Sequence, residues 1–403
     1  MQSTTKVKLL SFTILLNCLC VLSCKAEFSP DFHFFGSQSY VKSSKNDFIV
    51  PGAMNGSFAL QEIGVNTSET FFDQKLYLGA QVLGRKFGSN NMEVELDWLK
   101  LGYQYVDQLN VSLGLLKNKF GFYNESRDID ASRTPVLAPQ EIYAERLRDL
   151  VFASKSIRVD GFFDLADYGE LSYSMNYGFP NIDNKSITSD VFNNLFLNMV
   201  PGMPIFTEYD EGENYGFALD YVTPINLSFF YQHIVVNLDY KMSQSMPLPL
   251  TFFGFPALLS GDKALELKNK IHYLGVRYEA QKWTLTSELF KLKGNVSLFG
   301  GPAQKGEDYE AYNIMFDYYW NNKLSSFVKL ALNKHDGSAA FINDTESRNY
   351  CTGVRYDLFK YWTFKGEYHH FRGGYFAAGD GALQQVNTIG NWNAFLFRVS
   401  FNY

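Results

Sequence analysis

The run GFYNESRDIDASRTPVLAPQEIYAERLRDLVFA, Gly121–Ala153, lies between two segments that read as β-strands, LNVSLGLLKNKF before it and SKSIRVDGFFDL after it. It carries both signs of charge at high density and two prolines, Pro135 and Pro139. An insertion of this length with no regular structure of its own is rare inside a domain unless it has a function. Its meaning depends on what the flanking strands belong to.

Period-2 alternation recurs along the chain. In GELSYSMNY (Gly169–Tyr177), Leu171, Tyr173, Met175 and Tyr177 oppose Glu170, Ser172, Ser174 and Asn176. NYGFALDY (Asn214–Tyr221), YCTGVRYDL (Tyr350–Leu358) and WTFKGEYH (Trp362–His369) alternate in the same way. The final segment AFLFRVSFNY places Phe395, Phe397, Val399, Phe401 and Tyr403 opposite Arg398, Ser400 and Asn402. Strands are expected at about 31–40, 53–66, 74–85, 92–106, 109–120, 154–164, 168–178, 213–222, 225–240, 267–279, 282–294, 308–319, 323–334, 347–358, 361–372 and 391–403.

A water-soluble sandwich has the same alternation. The connections separate the two readings. Short links (DQ, LAD, TPIN, AQK, NNK, KY) alternate with long ones at 121–153, 179–212, 241–266, 295–307, 335–346 and 373–390. Asn66–Asp73, of middling length, and the short Lys86–Asn91 break the rhythm. Short turns on one rim, long loops on the other and an even strand count mark a transmembrane barrel, apolar towards lipid and polar towards a wet lumen. Lipid-exposed strands must pair both edges, so the sheet closes. The expected fold is therefore all-β, a closed antiparallel barrel of about sixteen strands, with Gly121–Ala153 its third long loop. Aromatics gather near strand ends at Tyr318, Tyr319, Trp320, Tyr361 and Trp362, as interfacial girdles do. In MEVELDWLKLGYQY, Glu93, Glu95 and Asp97 share one face, but the parity blurs after Lys100, as it does around Leu115–Lys119. A bulge or a subunit contact explains either.

The N-terminus reads as a secretion signal, with Lys6 and Lys8 before the apolar stretch Leu9–Leu22. Cleavage after Ala26 leaves residues 27–403 as the barrel. Acylation at Cys24 within VLSC is the alternative, disfavoured because Val21 is a weaker choice than leucine three residues before such a cysteine. Cys18, Cys20 and Cys24 fall in this region, which leaves Cys351 and no disulfide or Cys-based metal site in the barrel. Removing Lys6, Lys8 and Lys25 leaves 33 basic against 42 acidic residues, a formal charge of −9, which argues against a nucleic-acid partner.

The chain resembles the trimeric sixteen-stranded porins of Gram-negative outer membranes, general or phosphate-selective in type. The resemblance rests on the signal, the turn and loop rhythm, the terminal aromatic Tyr403 and the run Val94–Asp149. Within that run VELDWLKLGYQY, LNVSLGLLKNKFGFY and APQEIY are similar to porin sequences around the fifth strand and third loop. Sequence likeness covers about residues 53–178, fold features the whole barrel. Leu115 stands where the resemblance places a basic residue facing the pore. The family implies passive diffusion of small polar solutes, an inward third loop, a homotrimer, and Phe401 and Tyr403 as a signal to the barrel-assembly machinery. It also implies outer-membrane lipid and lipopolysaccharide as surroundings.

Charged rings set selectivity because a narrow low-dielectric bore magnifies each charge. The candidates for the constriction are Arg127, Asp128, Asp130, Arg133, Glu141, Glu145, Arg146 and Arg148. Candidates for the pore wall are Glu93, Glu95, Asp97, Lys117, Arg158, Lys365 and Arg398, with loop acids facing wall bases. The bland alternative is a solvated outer loop whose charges pair among themselves. The acidic balance leans weakly towards cations. Asp128–Arg133 is no calcium loop, because Arg133 replaces the required glycine and Pro139 the bidentate glutamate. The acids of Glu208–Asn214 are assigned to the fourth long loop, and the apolar run Val191–Phe206 to a segment over the barrel mouth or against a neighbouring subunit. No histidine spacing supports catalysis: His369 and His370 point to opposite faces of a strand. Cys351 reads as a buried inert thiol. No enzyme, metal or cofactor is expected. A substrate-specific channel, for oligosaccharide or anion, would need a lumenal aromatic track, for which Phe371 and Tyr77 are too few. A plugged structural or adhesive barrel and a soluble β-domain are the other readings.

Overall fold

The computed structural model describes residues 30–87, 92–182, 207–242, 265–298, 300–337, 346–373 and 390–403. Sixteen strands follow in order: β1 (Asp31–Ser43), β2 (Ser57–Phe71), β3 (Leu76–Phe87), β4 (Glu93–Val106), β5 (Leu109–Lys117), β6 (Ala153–Asp164), β7 (Glu170–Pro180), β8 (Thr207–Val222), β9 (Leu227–Met242), β10 (Leu265–Glu279), β11 (Trp283–Leu298), β12 (Gln304–Tyr319), β13 (Leu324–Gly337), β14 (Glu346–Phe359), β15 (Trp362–Arg372) and β16 (Asn391–Asn402). Each pairs antiparallel with its sequence neighbours, and β1 pairs with β16, so the sheet closes. Backbone bonds between Phe34 and Tyr403 extend that seam to the last residue. Gly36 makes room there, because a Cβ at this position would lie 2.7 Å from the Phe401 ring.

The exterior is apolar. Val94, Leu113, Met175, Leu274, Val354 and Phe397 are all exposed on the outer face. No helix among the described residues is long and apolar enough to cross a membrane; the strands do the crossing. Aromatic contacts line the rim of short turns, with Tyr361 against Tyr403, Tyr278 against Trp283 and Tyr318 against Trp320.

The irregular places in the sequence have local causes. Asn66–Phe71 continues β2, and the turn is only the four residues after it, with Phe72, Asp73 and Gln74 at positive φ. In β4 the pairing slips between Gln81 and Val82, which face Trp98 and Leu96, so Asp97 sits in a β-bulge. The bulge swaps the faces: Asp97 points inward, and beyond it Trp98 and Lys100 do, while Tyr103 and Tyr105 are exposed outside. Glu208–Asn214 belongs to β8 and not to a loop, which corrects the sequence reading. Its acids are drawn into the sheet by β9 partners, Asp210 to Lys241 at 2.8 Å and Glu213 to Asn237 at 2.8 Å. Val191–Phe206 and the N-terminal segment with Cys24 and Ala26 lie outside the described residues.

The lumen has two kinds of wall. On β9–β12 the inward positions are largely apolar or aromatic, including Phe230, Ile234, Tyr273, Phe290 and Tyr309. Around β13–β16 and β1–β8 they are largely polar, charged or small. Strand β9 is apolar on both faces, with Phe230 and Ile234 inside and Phe229 outside.

Candidate functional site: the third loop and the lumenal wall

Loop 3, the segment joining β5 to β6, leaves the wall at Asn118, where β5 ends short of the expected Phe120. Asn124 ties its neck by donating to the carbonyls of Asn118, Val151 and Phe152 at 2.9, 3.2 and 3.1 Å. Gly121 turns the chain inward at φ +58, in space bounded by Tyr143 and Tyr273. From there the loop bonds to four sectors of the wall.

The first sector is β14–β16. Lys365 and Arg398, each 1% exposed, both reach the Asp130 carboxylate at 3.2 Å. The Lys365 ammonium also donates to the carbonyls of Asp130, Arg133 and Pro135, and Arg398 donates to Ser39 Oγ on β1 and to the Val136 carbonyl. Ser400 donates to Asp130 Oδ2 at 2.7 Å, and Arg133 lies 3.3 Å from the same carboxylate. Burial alone would raise the Asp130 pKa, but Lys365, Arg398 and Arg133 together hold it well below the carboxylate range. Arg355 of β14 caps the Ala131 carbonyl at 2.6 Å.

The second sector is β11–β14. Lys329 and Asn349 hold Glu141, Lys329 at 3.0 Å and the Asn349 amide at 2.8 Å. Tyr309 donates to the Glu141 carbonyl at 2.6 Å. Glu288 accepts from Tyr143 and Tyr273 through one oxygen and from Asn313 through the other.

The third and fourth sectors are β2–β4 and β5–β6. Arg85 bridges Glu62 and Glu145, Arg127 donates to Glu145 at 2.9 Å, and Arg148 reaches Asp97 at 2.7 Å. Burial pushes the Glu145 carboxyl up, but Arg127, Arg85 and Arg148 outweigh it and bring it down to about 2. Lys117 reaches Asp128 at 2.7 Å, with Gln81 donating to both Asp97 and Asp128. Arg158 lies 3.5 Å from Glu125.

All four bases proposed for the wall are therefore in contact with loop-3 acids. Arg127, Asp128, Arg133, Glu141, Glu145 and Arg148 are buried. Arg146 sits in the one-turn 3₁₀ segment Glu145–Leu147, and its side chain lies outside the described residues. Glu93 and Glu95 are exposed at the loop-side end of β4, whereas Asp97 is buried. Leu115 does not face the bore; it packs with Phe152, Ala153 and Leu99. Phe401 and Tyr403 lie at the closing seam.

Sequence reasoning did not tell the groups that keep contact with water from the buried charges. Glu125 and Lys119 pair at 2.6 Å with side chains 44% and 39% exposed. Lys100 and Asp220 are partly exposed and lie within electrostatic reach of that pair, with partly exposed Asp160 beside Lys100 and Arg277 beside Asp220. Asp220 and Arg277 stand on polar faces of readable strands, and that parity is the signal for them. Loop 1, Ser44–Gly56, also enters: Phe48 and Val50 pack with Val136, Leu137, Phe371 and Trp392.

A closed sixteen-stranded barrel with a lipid-facing apolar belt and a polar, loop-filled lumen is an integral β-barrel of the outer membrane, and its fold is that of the porins. Among solved structures the chain is similar to outer-membrane expressed OmpT of Vibrio cholerae (13% identity, TM-score 0.56, covering 94% of this chain and 99% of that one). It is similar also to the anion-selective porin from Comamonas acidovorans (12%, 0.54, 93% and 99%) and to Salmonella typhi OmpF in complex with daunomycin (12%, 0.55, 93% and 97%). The likeness is one of fold. No family model and no curated protein matches the sequence.

Proposed function

We propose that the protein is a porin, a passive diffusion channel for ions and small hydrophilic solutes. The observation that carries this reading is the contrast within the lumen. Loop 3 is pinned by buried ion pairs, while Lys100, Lys119, Glu125, Asp160, Asp220 and Arg277 retain water contact beside it. Pinned charges act as structure; wetted charges act on solutes. In this reading Arg127, Asp128, Asp130, Arg133, Glu141, Glu145 and Arg148 position the constriction, as do Asp97, Lys117, Lys365 and Arg398 from the wall. Arg158, buried, holds Glu125 from the wall, and Glu93 and Glu95 attract cations at the outer mouth. Three bases against three acids in the wetted group leave it neutral beside an acidic chain, so selectivity is weak. Nothing in the arrangement calls for catalysis or a cofactor in the transport step.

A homotrimer fits the fold, since one similar structure is a trimer form of the Vibrio cholerae protein. Lipopolysaccharide fits the outer surface near the loop rim, where Lys270 faces Lys293 across β10 and β11. Like charges directly opposed repel unless an anion such as a lipid phosphate lies between them. Phe401 and Tyr403 serve as the assembly signal.

Planar-bilayer recording tests the channel. Stepwise conductance in multiples of three and a small reversal potential in a salt gradient are expected. Glu125→Gln moves the reversal potential towards anions. A folded barrel without conductance would refute the reading in favour of a plugged surface protein.

A further inference from the structure

On the inward face of β14 and β15, Cys351 and His369 are directly opposed, and Glu367 is two residues from His369 on the same face. Cys351 Sγ lies 3.6 Å from His369 Nε2, and Glu367 Oε2 lies 3.2 Å from that same nitrogen. The three ligand atoms all fall within 4.8 Å of one another, and all three residues are buried. The hydrogen bonds around them decide which form of the ring is present. Glu141, held by the Lys329 ammonium, can only accept, so the Asn349 amide nitrogen points to it. The Asn349 carbonyl oxygen therefore faces His369 Nδ1 at 3.2 Å and keeps a proton there. That leaves the Nε2 lone pair directed at a carboxylate oxygen and a sulfur. Three electron-rich atoms converge, and a cation is needed between them.

We propose that Cys351, His369 and Glu367 form a Zn²⁺ site. A tetrahedral zinc with bonds of about 2.3 Å to sulfur and about 2.0–2.1 Å to nitrogen and oxygen sets its ligand atoms about 3.4–3.6 Å apart, close to the 3.6 and 3.2 Å from Nε2 to the sulfur and to the carboxylate oxygen. Thiolate, imidazole and carboxylate are a donor set suited to zinc. Asn349 supplies the carbonyl partner that fixes the tautomer of a metal-bound histidine. Binding forms bonds to Sγ, Nε2 and Oε2 and releases the thiol proton to water. A water would complete the four-coordinate set. The outer contacts of the site belong to loop 3: Val136 N donates to Glu367 Oε1 at 2.5 Å, and Glu141 holds Asn349. The ion would rivet the constriction loop to the wall. Counting cysteines along the sequence hid the site, because one thiolate with two other donors leaves no spacing signature.

Cobalt titration of the purified, folded barrel in detergent is the test, with folding checked by the heat-dependent shift in gel mobility. One Co²⁺ per chain with a sulfur-to-cobalt charge-transfer band, displaced by Zn²⁺, is expected. Cys351→Ser should abolish the band, which also separates this site from Cys18, Cys20 and Cys24. Glu367→Gln should keep the band and weaken affinity at least about tenfold. A folded wild-type barrel that gives no band overturns the proposal and leaves a proton on His369 Nε2 as the cation. A band that survives Cys351→Ser overturns it equally.

Discussion

Asp130→Asn is the substitution that most directly tests how loop 3 is held. The replacement keeps the shape of the side chain and its reach to Ser400 but removes the only negative charge among the described residues within 3.3 Å of Lys365, Arg398 and Arg133. At an effective dielectric of about 20, each pair near 3.2 Å is worth about 5 kcal/mol before desolvation. Stripping one partner from a buried ionic cluster costs about 3–5 kcal/mol net, because the charges left behind stay out of water. Lys365 and Arg398 are each 1% exposed, so solvent screens them little. The equilibrium for releasing the loop should rise by two to nearly four powers of ten, since about 1.4 kcal/mol is a factor of ten. Hydrogen exchange read by mass spectrometry resolves this: peptides within residues 121–153 should lose protection by that factor while the strands keep theirs. Loop protection unchanged within threefold would refute the claim that this carboxylate pins the loop.

Acid should act on the same device. Glu145 titrates near 2 in the folded protein, below its ordinary value of 4.5, so its contribution is complete above about pH 4.5 and fades as the pH falls towards 2. Loop-3 exchange should therefore be flat from neutral pH to about 4.5 and accelerate below it, after correction for intrinsic rates; a rise already complete at pH 5 would contradict the assignment. Gly121→Ala forces a side chain into the left-handed region against Tyr143 and Tyr273, at a cost of about 1–3 kcal/mol. The expected result is faster tryptic cleavage at Arg127 and Arg133 in an otherwise heat-resistant barrel, and an unchanged digest would count against the packing at the loop neck. In a bilayer Glu125→Gln should shift the reversal potential more than Glu141→Gln does, because Glu125 is exposed and Glu141 sits at 2% against Lys329.

The barrel was legible because each lipid-facing strand repeats the same two-residue contrast, and because the links TPIN and AQK are too short for anything but hairpins. Legibility failed where one residue altered the count. Asp97 bulges from β4, and every side chain beyond it changes sides without any change in composition. β9 was legible as a strand although LSFFYQHIVVNL is apolar on both faces, its inner face packing on loop 3. The bases Lys117, Arg158, Lys365 and Arg398 could be picked out on polar strand faces. Their ion-pair geometry could not, since Asp130 and Arg398 are 268 residues apart. Selectivity was sought in the densest charges, and these are the ones that neutralise one another.

The distance in sequence between loop 3 and its partners sets an order of events. The loop is made before residue 154, but the residues that receive Asp130 and Val136 lie on β15 and β16, the last hairpin synthesised. Until that hairpin zips against β1, Asp130 and Val136 lack their partners Lys365, Glu367, Arg398 and Ser400, and the segment stays hydrated and open to proteases. A seated loop is thus a certificate of closure: the interior can be completed only in a barrel whose final strand has already arrived.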